Sequence, residues 1–498
     1  MLDMFTLGLE VALAPQNLFY AFIGVLLGTI VGVIPGIGTM SVIAMLLPLT
    51  YVISPVSGII MLAGIYYGAQ YGGNTSAILL GIPGESSAAV SVFDGYPMAK
   101  KGRAGAALAI SALSSFFAGC VSTLLMFLSA PLLGKVALAF ASAEYALLMV
   151  LGLIGSMSFA SGAYLKTMGM VGLGLFLSTV GIDFYTGTPR FEYGIMALSD
   201  GFPIAVVAMG VFGIAEVIEQ LVHQFKLRRA GGKIPAMAAI PFKSLYPSKT
   251  EAKQSVAPAS RGTLMGVLLG IFPGIGATIA SFAAYSVEKQ VNREREELGT
   301  GHPAGLAAPE AATNAAAQTS MIPLLTLGIP GSAVVALMMG TMNVHNIQPG
   351  PTLINHHPEL FFGVIVSMWI GNLMLLVLNL PLIGIWVKLL QVSKPILLPI
   401  ILVASTLGVY LLNSSSADIV LLLLFGLLGY VMRRFGCSTA SFILAFILGP
   451  LLEEHLRRAL LLSDGSFLTF VERPLSLFLL VLIGGLVMVM GWRSWKLR

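Results

Sequence analysis

The sequence predicts an all-α polytopic membrane protein made of two inverted structural repeats, with broken, partly re-entrant helices and roughly 11–13 spans. Composition gives the class, because 57% of the 498 residues are hydrophobic and 10% are charged, with a mean hydropathy of +0.91. Six runs without Asp, Glu, Lys or Arg each reach the ~20 residues that a helix needs to cross a bilayer. These runs are 104–134, 145–165, 262–287, 360–387, 395–417 and 474–492. Proline and glycine motifs that recur in both halves predict the repeats and the breaks.

The charge and residue patterns exclude several other classes of protein. Continuous apolar runs favour helices over a membrane β-barrel, whose strands would alternate polar and apolar residues. The net charge of +5 is small and falls mostly in loops, so it marks membrane topology and gives no support for a nucleic-acid partner. Cys120 and Cys437 lie in apolar surroundings and are interpreted as packing residues.

A stretch from Gly72 to Glu85 is predicted to break a membrane helix. It ends a run over 11–84 that contains no charged residue. Its polar and helix-breaking members are Gly72, Gly73, Asn74, Thr75, Ser76, Gly81, Pro83 and Gly84. Irregular backbone at membrane depth is tolerated only where it faces protein or water, because an unpaired peptide group in lipid costs several kcal/mol. A broken helix here therefore predicts a binding site.

The same motifs return in the second half of the chain, which indicates a duplication. The matches are Pro35–Gly38 with Pro273–Gly276, Thr75–Ser76 with Thr319–Ser320, Gly81–Gly84 with Gly328–Gly331, and, more weakly, Tyr96–Pro97 with Gln348–Pro349. The offset is 238 residues for the Pro-Gly-Ile-Gly motifs, 247 for the Gly-Ile-Pro-Gly motifs and 252 for the weakest match, so it rises as extra residues accumulate in the second half. A chain with 56 Gly and 26 Pro also matches itself by chance. Ordered recurrence of two identical tetrapeptides favours the duplication.

Five segments are predicted along the chain. An interfacial lead covers 1–16 and a first repeat covers 17–222. An exposed cytoplasmic linker covers 223–261, where eight Lys or Arg occur among Pro, Ser and Gly. A second repeat covers 262–472, and an extra apolar span with a basic tail covers 473–498.

The positive charges predict opposite orientations for the two repeats. The cluster Lys100–Arg103 and the linker are expected in the cytoplasm. The matching position of the second repeat, Ile354–Glu359, has no Lys or Arg, whereas the segment 288–303 is charged and its counterpart is not. Such a swap places the halves upside down relative to each other, and the extra span returns the tail to the cytoplasm. Arg457 and Arg458, which this scheme places outside, count against it.

Inverted repeats with a broken segment at matching places are typical of a secondary transporter, whose site lies where the breaks meet near the bilayer midplane. Half-helix starts offer N–H groups to an anion, and half-helix ends offer carbonyl groups to a cation. The predicted substrate-binding residues are Gly36, Gly38, Thr39, Asn74, Thr75, Ser76, Gly274, Gly276, Thr278, Asn314, Thr319, Ser320, Gly331 and Ser332. A Na⁺ site is predicted at the breaks that contain Gly81, Pro83, Gly328 and Pro330. For any single Gly or Ser, close helix packing is the competing interpretation.

Several segments together resemble the large membrane subunit of the tripartite tricarboxylate transporters, the TctA family. The resemblance runs from about residue 17 to 470 and is carried by GVIPGIGTMSVIAMLLPLTY, YYGAQYGGNTSAILLGIPGE, FDGYPMAKKGRAGAAL, GIFPGIGATIA and PEAATNAAAQTSMIPLLTLGIPGSA. It implies a bacterial inner-membrane permease that works with a small four-helix membrane subunit and a periplasmic substrate-binding protein. It also implies carboxylate uptake driven by an ion gradient. The chain departs from the family pattern at Thr313 and at Asn74–Thr75, which leaves the substrate open.

The resemblance and the residues together predict import of a di- or tricarboxylate by alternating access. The broken segments contain no Lys or Arg, so two or three negative charges at the midplane need helix N-termini and a co-bound cation. Na⁺ is favoured over H⁺ as the coupling ion, and no other cofactor is expected. A one-component carboxylate permease or a channel is the alternative.

Three acidic residues flank the breaks, namely Glu85, Asp94 and Glu310. Each is either a cation ligand or proton carrier near the site, or an interfacial helix cap, and both interpretations stay open. No enzyme activity is expected, because the sequence has no GxSxG, no HExxH and no paired-carboxylate constellation.

Overall fold

A computed structural model gives the fold and describes residues 1–34, 38–137, 139–158, 164–183, 185–230, 245–272, 276–389, 402–403, 405–410 and 415–496. The first half contains α1 (Leu2–Leu13), α2 (Pro15–Val33), α3 (Thr39–Thr50), α4 (Pro55–Leu80), α5 (Ser91–Met98), α6 (Ala104–Ala137), α7 (Ser142–Ser158), α8 (Tyr164–Leu177), α9 (Ile204–Ala208) and α10 (Ala215–Ala230). The second half contains α11 (Lys249–Ile271), α12 (Gly276–Val291), α13 (Pro303–Thr319), α14 (Met321–Leu327), α15 (Ala333–Val344), α16 (Leu353–His356), α17 (Pro358–Asn379), α18 (Ile383–Leu389), α19 (Ser416–Arg434), α20 (Thr439–Leu462), α21 (Thr469–Glu472) and α22 (Pro474–Lys496).

Short irregular helices and one hairpin join these elements. A 3₁₀ turn at Ser86–Ala89 precedes α5, and π-helical turns at Ala99–Arg103 and Met209–Ile214 follow α5 and α9. The strands β1 (Gly181–Ile182) and β2 (Pro189–Arg190) pair antiparallel.

Six helical stretches of the described residues are long and apolar enough to cross a membrane, which confirms the predicted all-α polytopic class. They are Pro15–Val33, Ser91–Ala130, Ile204–Val222, Pro358–Asn379, Ser416–Arg434 and Thr439–Leu462. Shorter apolar helices are Thr39–Thr50, Ser142–Met157, Tyr164–Leu177, Ala333–Val344 and Pro474–Met488. The inverted relation between the halves stays a prediction.

The helices form two bundles. The motif bundle contains α1–α6 and α11–α17, in which α2 packs along α4, α11 packs along α13, and α6 packs against α13 and α17. The second bundle contains α7–α10, α19, α20 and α22, in which α20 packs against α7 and α8. Contacts between the bundles run mainly from α3 and α15 to α9, to the π-helical turn after it and to α20. Two of the helices that follow the predicted breaks, α3 and α15, therefore lie at the boundary between the bundles.

Two helix pairs of the motif bundle are built on rows of glycine. Each glycine faces a carbonyl group of the partner helix, and an added Cβ would overlap that carbonyl. The rows are Gly24, Gly28 and Gly32 of α2 opposite Met61, Ile65 and Ala69 of α4, and Gly262, Gly266 and Gly270 of α11 opposite Ala308, Ala312 and Ala316 of α13. Close backbone approach of this kind stabilises helix pairs in membranes, where lipid leaves no hydrophobic force between helices. Each glycine of the first row lies 238 residues before its counterpart in the second row, and each partner residue lies 247 residues before its counterpart. The repeated motifs have the same two offsets.

The Gly-Ile-Pro-Gly motifs end helices, as predicted. Gly81 caps α4 with φ 69° and ψ 18°, and Gly328 caps α14 with φ 72° and ψ 18°. This left-handed conformation costs glycine little, because glycine has no Cβ. The two motifs therefore have the same local backbone.

After each motif the chain turns back along the helix that it has just left. Gly84 N donates a hydrogen bond to Gly73 O at 3.3 Å. In the second half, an added Cβ on Gly331 would lie 2.5 Å from Ser320 O. Ser320 therefore occupies the structural position of Gly73. The sequence match had instead paired Ser320 with Ser76, which lies about one helical turn further along α4.

The break predicted within Gly72–Glu85 occurs only at Gly81, and the expectation that residues 74–76 form part of it is wrong, because α4 continues through them to Leu80. The side chains of Ser76 and Asn74 form hydrogen bonds while the helical backbone stays intact. Ser76 Oγ donates to Gly73 O at 3.1 Å, and the Asn74 side-chain amide donates to the Glu310 carboxylate. A buried polar group that has a partner does not require an irregular backbone.

The basic residues of the first half lie beside the charged parts of the second half. Lys101 Nζ donates to Thr300 O at 2.8 Å, and Arg103 pairs with Glu251 near the start of α11. The segments predicted to be cytoplasmic are thus neighbours. Within the described residues, the predicted linker 223–261 is helical at both ends, because α10 continues to Ala230 and α11 starts at Lys249.

A second ionic network joins the hairpin 181–190 to α20. Arg457 Nη1 lies 3.0 Å from Asp183 Oδ2, and Arg190 Nη2 lies 2.9 Å from Glu453 Oε1. Arg458 pairs with Glu454 at 2.7 Å. The two arginines that counted against the predicted orientation are thus neutralised by carboxylates.

Candidate substrate cavity

A cavity of about 550 Å³ lies between the motif bundle and the second bundle. Residues from both sequence halves line its motif-bundle side, namely Met40, Tyr66, Gln70, Glu85, Ser86, Ser87, Gly276, Ala277, Thr278, Ile279, Ser332, Ala333 and Val334. The other side is lined by Ser156, Glu219, Arg433, Gly436, Cys437, Ser438, Ala440, Ser441 and Leu444. The size suits a small organic molecule.

The starts of three helices open onto this cavity. Gly276 to Thr278 form the first turn of α12, Met40 lies in the first turn of α3, and Ser332 is the N-cap of α15. Ser332 Oγ accepts a hydrogen bond from Val335 N at 3.3 Å. The first N–H groups of a helix have no partner within the helix, and the helix dipole gives about half a positive charge there. The cavity therefore favours a negatively charged ligand.

Hydroxyl and amide groups join the two halves at the cavity wall. Ser86 Oγ and Thr278 Oγ1 lie 3.0 Å apart. Ser281 Oγ donates to Ser87 O at 3.0 Å, and Ser87 Oγ donates to Gln70 Oε1 at 2.5 Å. The segment after the first Gly-Ile-Pro-Gly motif thus contacts the helix after the second Pro-Gly-Ile-Gly motif.

Tyr66 reaches the second copy of the motif from α4. Its hydroxyl lies within hydrogen-bonding range of the Ser320 and Ser332 side chains. Ser320 Oγ also donates to Ala317 O at 2.8 Å. One phenol therefore connects the first half to both ends of the second break.

The opposite wall carries serines at the start of α20. Ser438 is the N-cap of α20, and its Oγ accepts from Ser441 N at 3.2 Å. Ser441 Oγ donates to Ser156 O at 3.3 Å. A fourth helix start therefore faces the cavity from the second bundle.

The charged side chains that line the cavity within the described residues are Glu85, Glu219 and Arg433. Arg433 forms ion pairs with Glu216 and, at 3.1 Å, with Glu219. Its single positive charge is thus already met by two carboxylates. The Glu85 carboxyl lies beside Thr39 at the start of α3. Side-chain charges alone consequently give this cavity no positive excess.

The predicted substrate residues fall into three groups. Gly276, Thr278 and Ser332 line the cavity. Those of the second group do not line it, and they are Gly38, Thr39, Thr319, Ser320 and Gly331, which lie in turns or at helix ends, and Ser76, which is buried within α4. Gly36 and Gly274 lie outside the described residues. The residues proposed for Na⁺, Gly81, Pro83, Gly328 and Pro330, lie in the caps and turns of the two Gly-Ile-Pro-Gly motifs.

Asn74, Thr75 and Asn314 form the third group, because they are buried inside the motif bundle and do not line the cavity. Asn74 bonds to the Glu310 carboxylate. Asn314 Nδ2 donates to Ser115 Oγ at 2.8 Å. The two asparagines therefore belong to a separate polar cluster around Glu310.

Sequence reasoning missed Tyr66, Gln70 and the whole wall from the second bundle. Gln70 carried one signal, since it is an amide one helical turn before Asn74 in a run free of charge. Ser438 and Ser441 are separated in sequence from every repeated motif, so no pattern could have joined them to the site.

Comparison with known proteins gives a family and two relatives. The model of the "Tripartite tricarboxylate transporter TctA family" matches residues 18–444. The chain is 52% identical over 475 residues to the "Uncharacterized 52.8 kDa protein in TAR-I ttuC' 3'region" of Agrobacterium vitis, covering 95% of this chain and 93% of that protein. It is 51% identical over 224 residues to the "Uncharacterized protein in TAR-II ttuC' 3'region" of the same organism, covering 45% of this chain and 92% of that protein. No solved structure was found to match.

Proposed function

Because this chain belongs to the tripartite tricarboxylate transporter TctA family, we propose that it imports a di- or tricarboxylate as the permease subunit of a binding-protein-dependent system. The observation that carries the substrate class is the cavity between the bundles. Four helix starts face it, while its only lining arginine among the described residues is paired with Glu216 and Glu219. Backbone N–H groups and hydroxyls are donors that suit carboxylate oxygens without the permanent retention that a row of arginines would cause.

Alternating access is proposed as the mechanism. The motif bundle holds both copies of the repeated motifs, and the cavity lies at its boundary with the second bundle. Movement of one bundle against the other would expose the cavity to each side in turn, and two inverted halves supply two states of similar energy. The matching glycine rows and helix caps support the repeat on which this mechanism depends.

A cation gradient is proposed as the driving force, with Na⁺ favoured over H⁺. A substrate with two or three negative charges would enter a cavity whose side chains have no positive excess. Helix starts offset part of this charge, and a co-transported cation would offset more. Coupling thus follows from charge balance.

The proposed assembly lies in the bacterial inner membrane. Its other members are a small four-helix membrane subunit and a periplasmic substrate-binding protein that delivers the carboxylate. The linker side of the chain, with Lys100–Arg103, would face the cytoplasm.

Uptake by reconstituted protein tests the function. The chain is placed in liposomes with the small subunit, and uptake of labelled di- and tricarboxylates is measured with and without the binding protein under an inward Na⁺ gradient. We expect uptake only when both the binding protein and the gradient are present. Uptake without the binding protein would instead indicate a one-component permease, and steady single-channel currents would indicate a channel.

A further inference from the structure

A second polar site lies inside the motif bundle around Glu310 of α13, whose side chain is 1% exposed. The carboxylate accepts hydrogen bonds from the Asn74 side-chain amide of α4 and from Ser91 Oγ of α5. Ser111 and Ser115 of α6 also lie within hydrogen-bonding range of it. Four helices from both sequence halves thus converge on one acid.

The donors around Glu310 are neutral, which distinguishes it from the buried acids Glu144 and Glu288. Glu144 pairs with Arg473 at 2.8 Å, and Glu288 pairs with Arg261 at 2.6 Å. Within the described residues, Lys, Arg and His form no ion pair with Glu310. An uncompensated carboxylate in a buried membrane site is costly, so this cluster requires either a cation or a proton.

Oxygen atoms without partners belong to residues that contact or lie near the same acid. In the part of the chain that the structure describes, Asn74 Oδ1, Asn314 Oδ1 and the Tyr71 hydroxyl are buried and have no hydrogen-bond partner. Asn314 Nδ2 donates to Glu310 O at 3.1 Å, and Tyr71 lies near the Glu310 carboxyl. Each of the two amide oxygens therefore belongs to a side chain that already touches Glu310. An unpartnered buried oxygen needs a proton donor or a cation.

We propose that Glu310, Asn74 and Asn314 bind the Na⁺ that drives transport, an assignment that rests on the proposed function. Carboxylate and amide oxygens are the ligands that hard cations prefer. The cluster holds one negative charge, which matches a monovalent cation better than a divalent one. A proton on Glu310 would satisfy one oxygen, whereas a cation satisfies the carboxylate and both amide oxygens together.

The position of this site explains how the cation acts on the substrate. Asn74 lies one helical turn after Gln70, which lines the cavity and accepts from Ser87. Asn74 belongs to the first half and Glu310 to the second, so a cation between them would hold α4, α5 and α13 in one arrangement. The cavity wall formed by Gln70 and Ser87 would then be fixed when Na⁺ is bound.

Thermal stability tests the site without any transport. The purified full chain is heated in detergent at constant pH and ionic strength while NaCl replaces choline chloride. The wild type should show a saturable rise in Tm with Na⁺, as expected for a ligand that binds the folded state. Glu310→Gln should raise the apparent Kd for Na⁺ at least about tenfold or abolish the rise, because the only charged ligand is gone. Glu144→Gln, a buried acid that already has its own arginine, should titrate like the wild type.

Specific outcomes would overturn the assignment. It fails if Glu310→Gln keeps the wild-type Na⁺ titration, or if the wild type responds to pH but not to Na⁺, which would make Glu310 a proton carrier. Should Glu310→Gln not fold, Asn314→Ala removes one proposed ligand oxygen and must still raise the apparent Kd. If Glu310→Gln imports the carboxylate at the wild-type rate and with the wild-type dependence on Na⁺, Glu310 does not bind the coupling ion. The proposed function would then still stand. Absence of uptake by the wild type would count against the function, while the Tm titration would still decide the site.

Discussion

Asp94 Oδ1 accepts a hydrogen bond of 2.8 Å from the backbone amide of His302, which joins the end of the first motif segment to the start of α13. The same carboxylate accepts from Gly301 N at 2.8 Å and from Tyr285 Oη at 3.1 Å. Gly299 N donates to both of its oxygens. Asp94 is thus a structural anchor for the loop 299–302, which favours the interpretation of this residue as a cap over that of a cation ligand or proton carrier.

Asp94→Asn should destabilise the protein. The substitution removes the charge and turns an N–H group towards backbone N–H groups, and hydrogen bonds to charged groups contribute about 1.5–3 kcal/mol each. We expect a lower Tm in detergent and faster proteolysis within 299–302. Asp464→Asn is the control, because Asp464 is exposed and Asn tolerates its positive φ of 48°. Equal Tm values for the two variants would show that the anchor contributes nothing.

Gly331→Val should abolish transport. A Cβ at this position would lie 2.5 Å from Ser320 O and 3.2 Å from Pro323 Cγ, so the turn behind the cavity would have to open. Overpacking of this kind typically costs about 1–3 kcal/mol, and here it also displaces Ser332. Gly172→Val is the control, since no atom lies within 4 Å of an added Cβ there. Gly36, another predicted substrate-binding glycine, lies outside the described residues. Normal uptake by correctly inserted Gly331→Val would place the site elsewhere.

Ser332→Ala should weaken substrate recognition as well as stability. It removes the N-cap of α15, a loss of about 1 kcal/mol, and a hydroxyl that faces the cavity. Ser54→Ala is a matched control, because Ser54 caps α4 through Ser57 N at 3.2 Å but does not line the cavity. The Tm should fall by a similar amount in both variants. Only Ser332→Ala should also raise the KM for uptake, by roughly fivefold. A similar KM for both would remove Ser332 from the site.

Arg433→Gln should destabilise the protein more than the double variant Arg433→Gln/Glu216→Gln. The single change leaves Glu216 buried without its cation, which costs about 3–5 kcal/mol in a fully buried pair and less here because Arg433 is partly exposed. If helix starts recognise the substrate, the double variant should recover both Tm and most of the uptake. A double variant that folds but has lost uptake would show that Arg433 contacts the substrate directly.

Cysteine labelling in whole cells tests the orientation. Lys101→Cys and His356→Cys replace exposed residues at matching positions of the two halves. We expect a membrane-impermeant maleimide added outside to label residue 356 and not residue 101, because the positive charges around residue 101 keep that loop in the cytoplasm. Labelling of both from one side would defeat the inverted repeat.

The sequence predicted the parts of the site that depend on local backbone chemistry. Gly81 and Gly328 end helices because their left-handed conformation is costly for other residues, and such a preference can be read from a motif. The break at Asn74 was wrong for a non-local reason: Glu310, 236 positions away, supplies a partner for its side chain. The wall around Ser438 could not be foreseen either, because it depends on how two bundles meet.

The glycine rows also determine which parts of the molecule can move. At the glycine rows, the backbones of α2 and α4, and of α11 and α13, approach each other so closely that sliding would drive carbonyl groups of one helix into the glycine Cα atoms of the other. We therefore expect each helix pair to behave as a rigid unit. If the bundles move against each other during transport, the contacts of α3 and α15 with the second bundle must rearrange. Substitutions at that boundary should therefore alter the turnover rate. Substitutions inside the two glycine-packed helix pairs should instead lower the yield of folded protein.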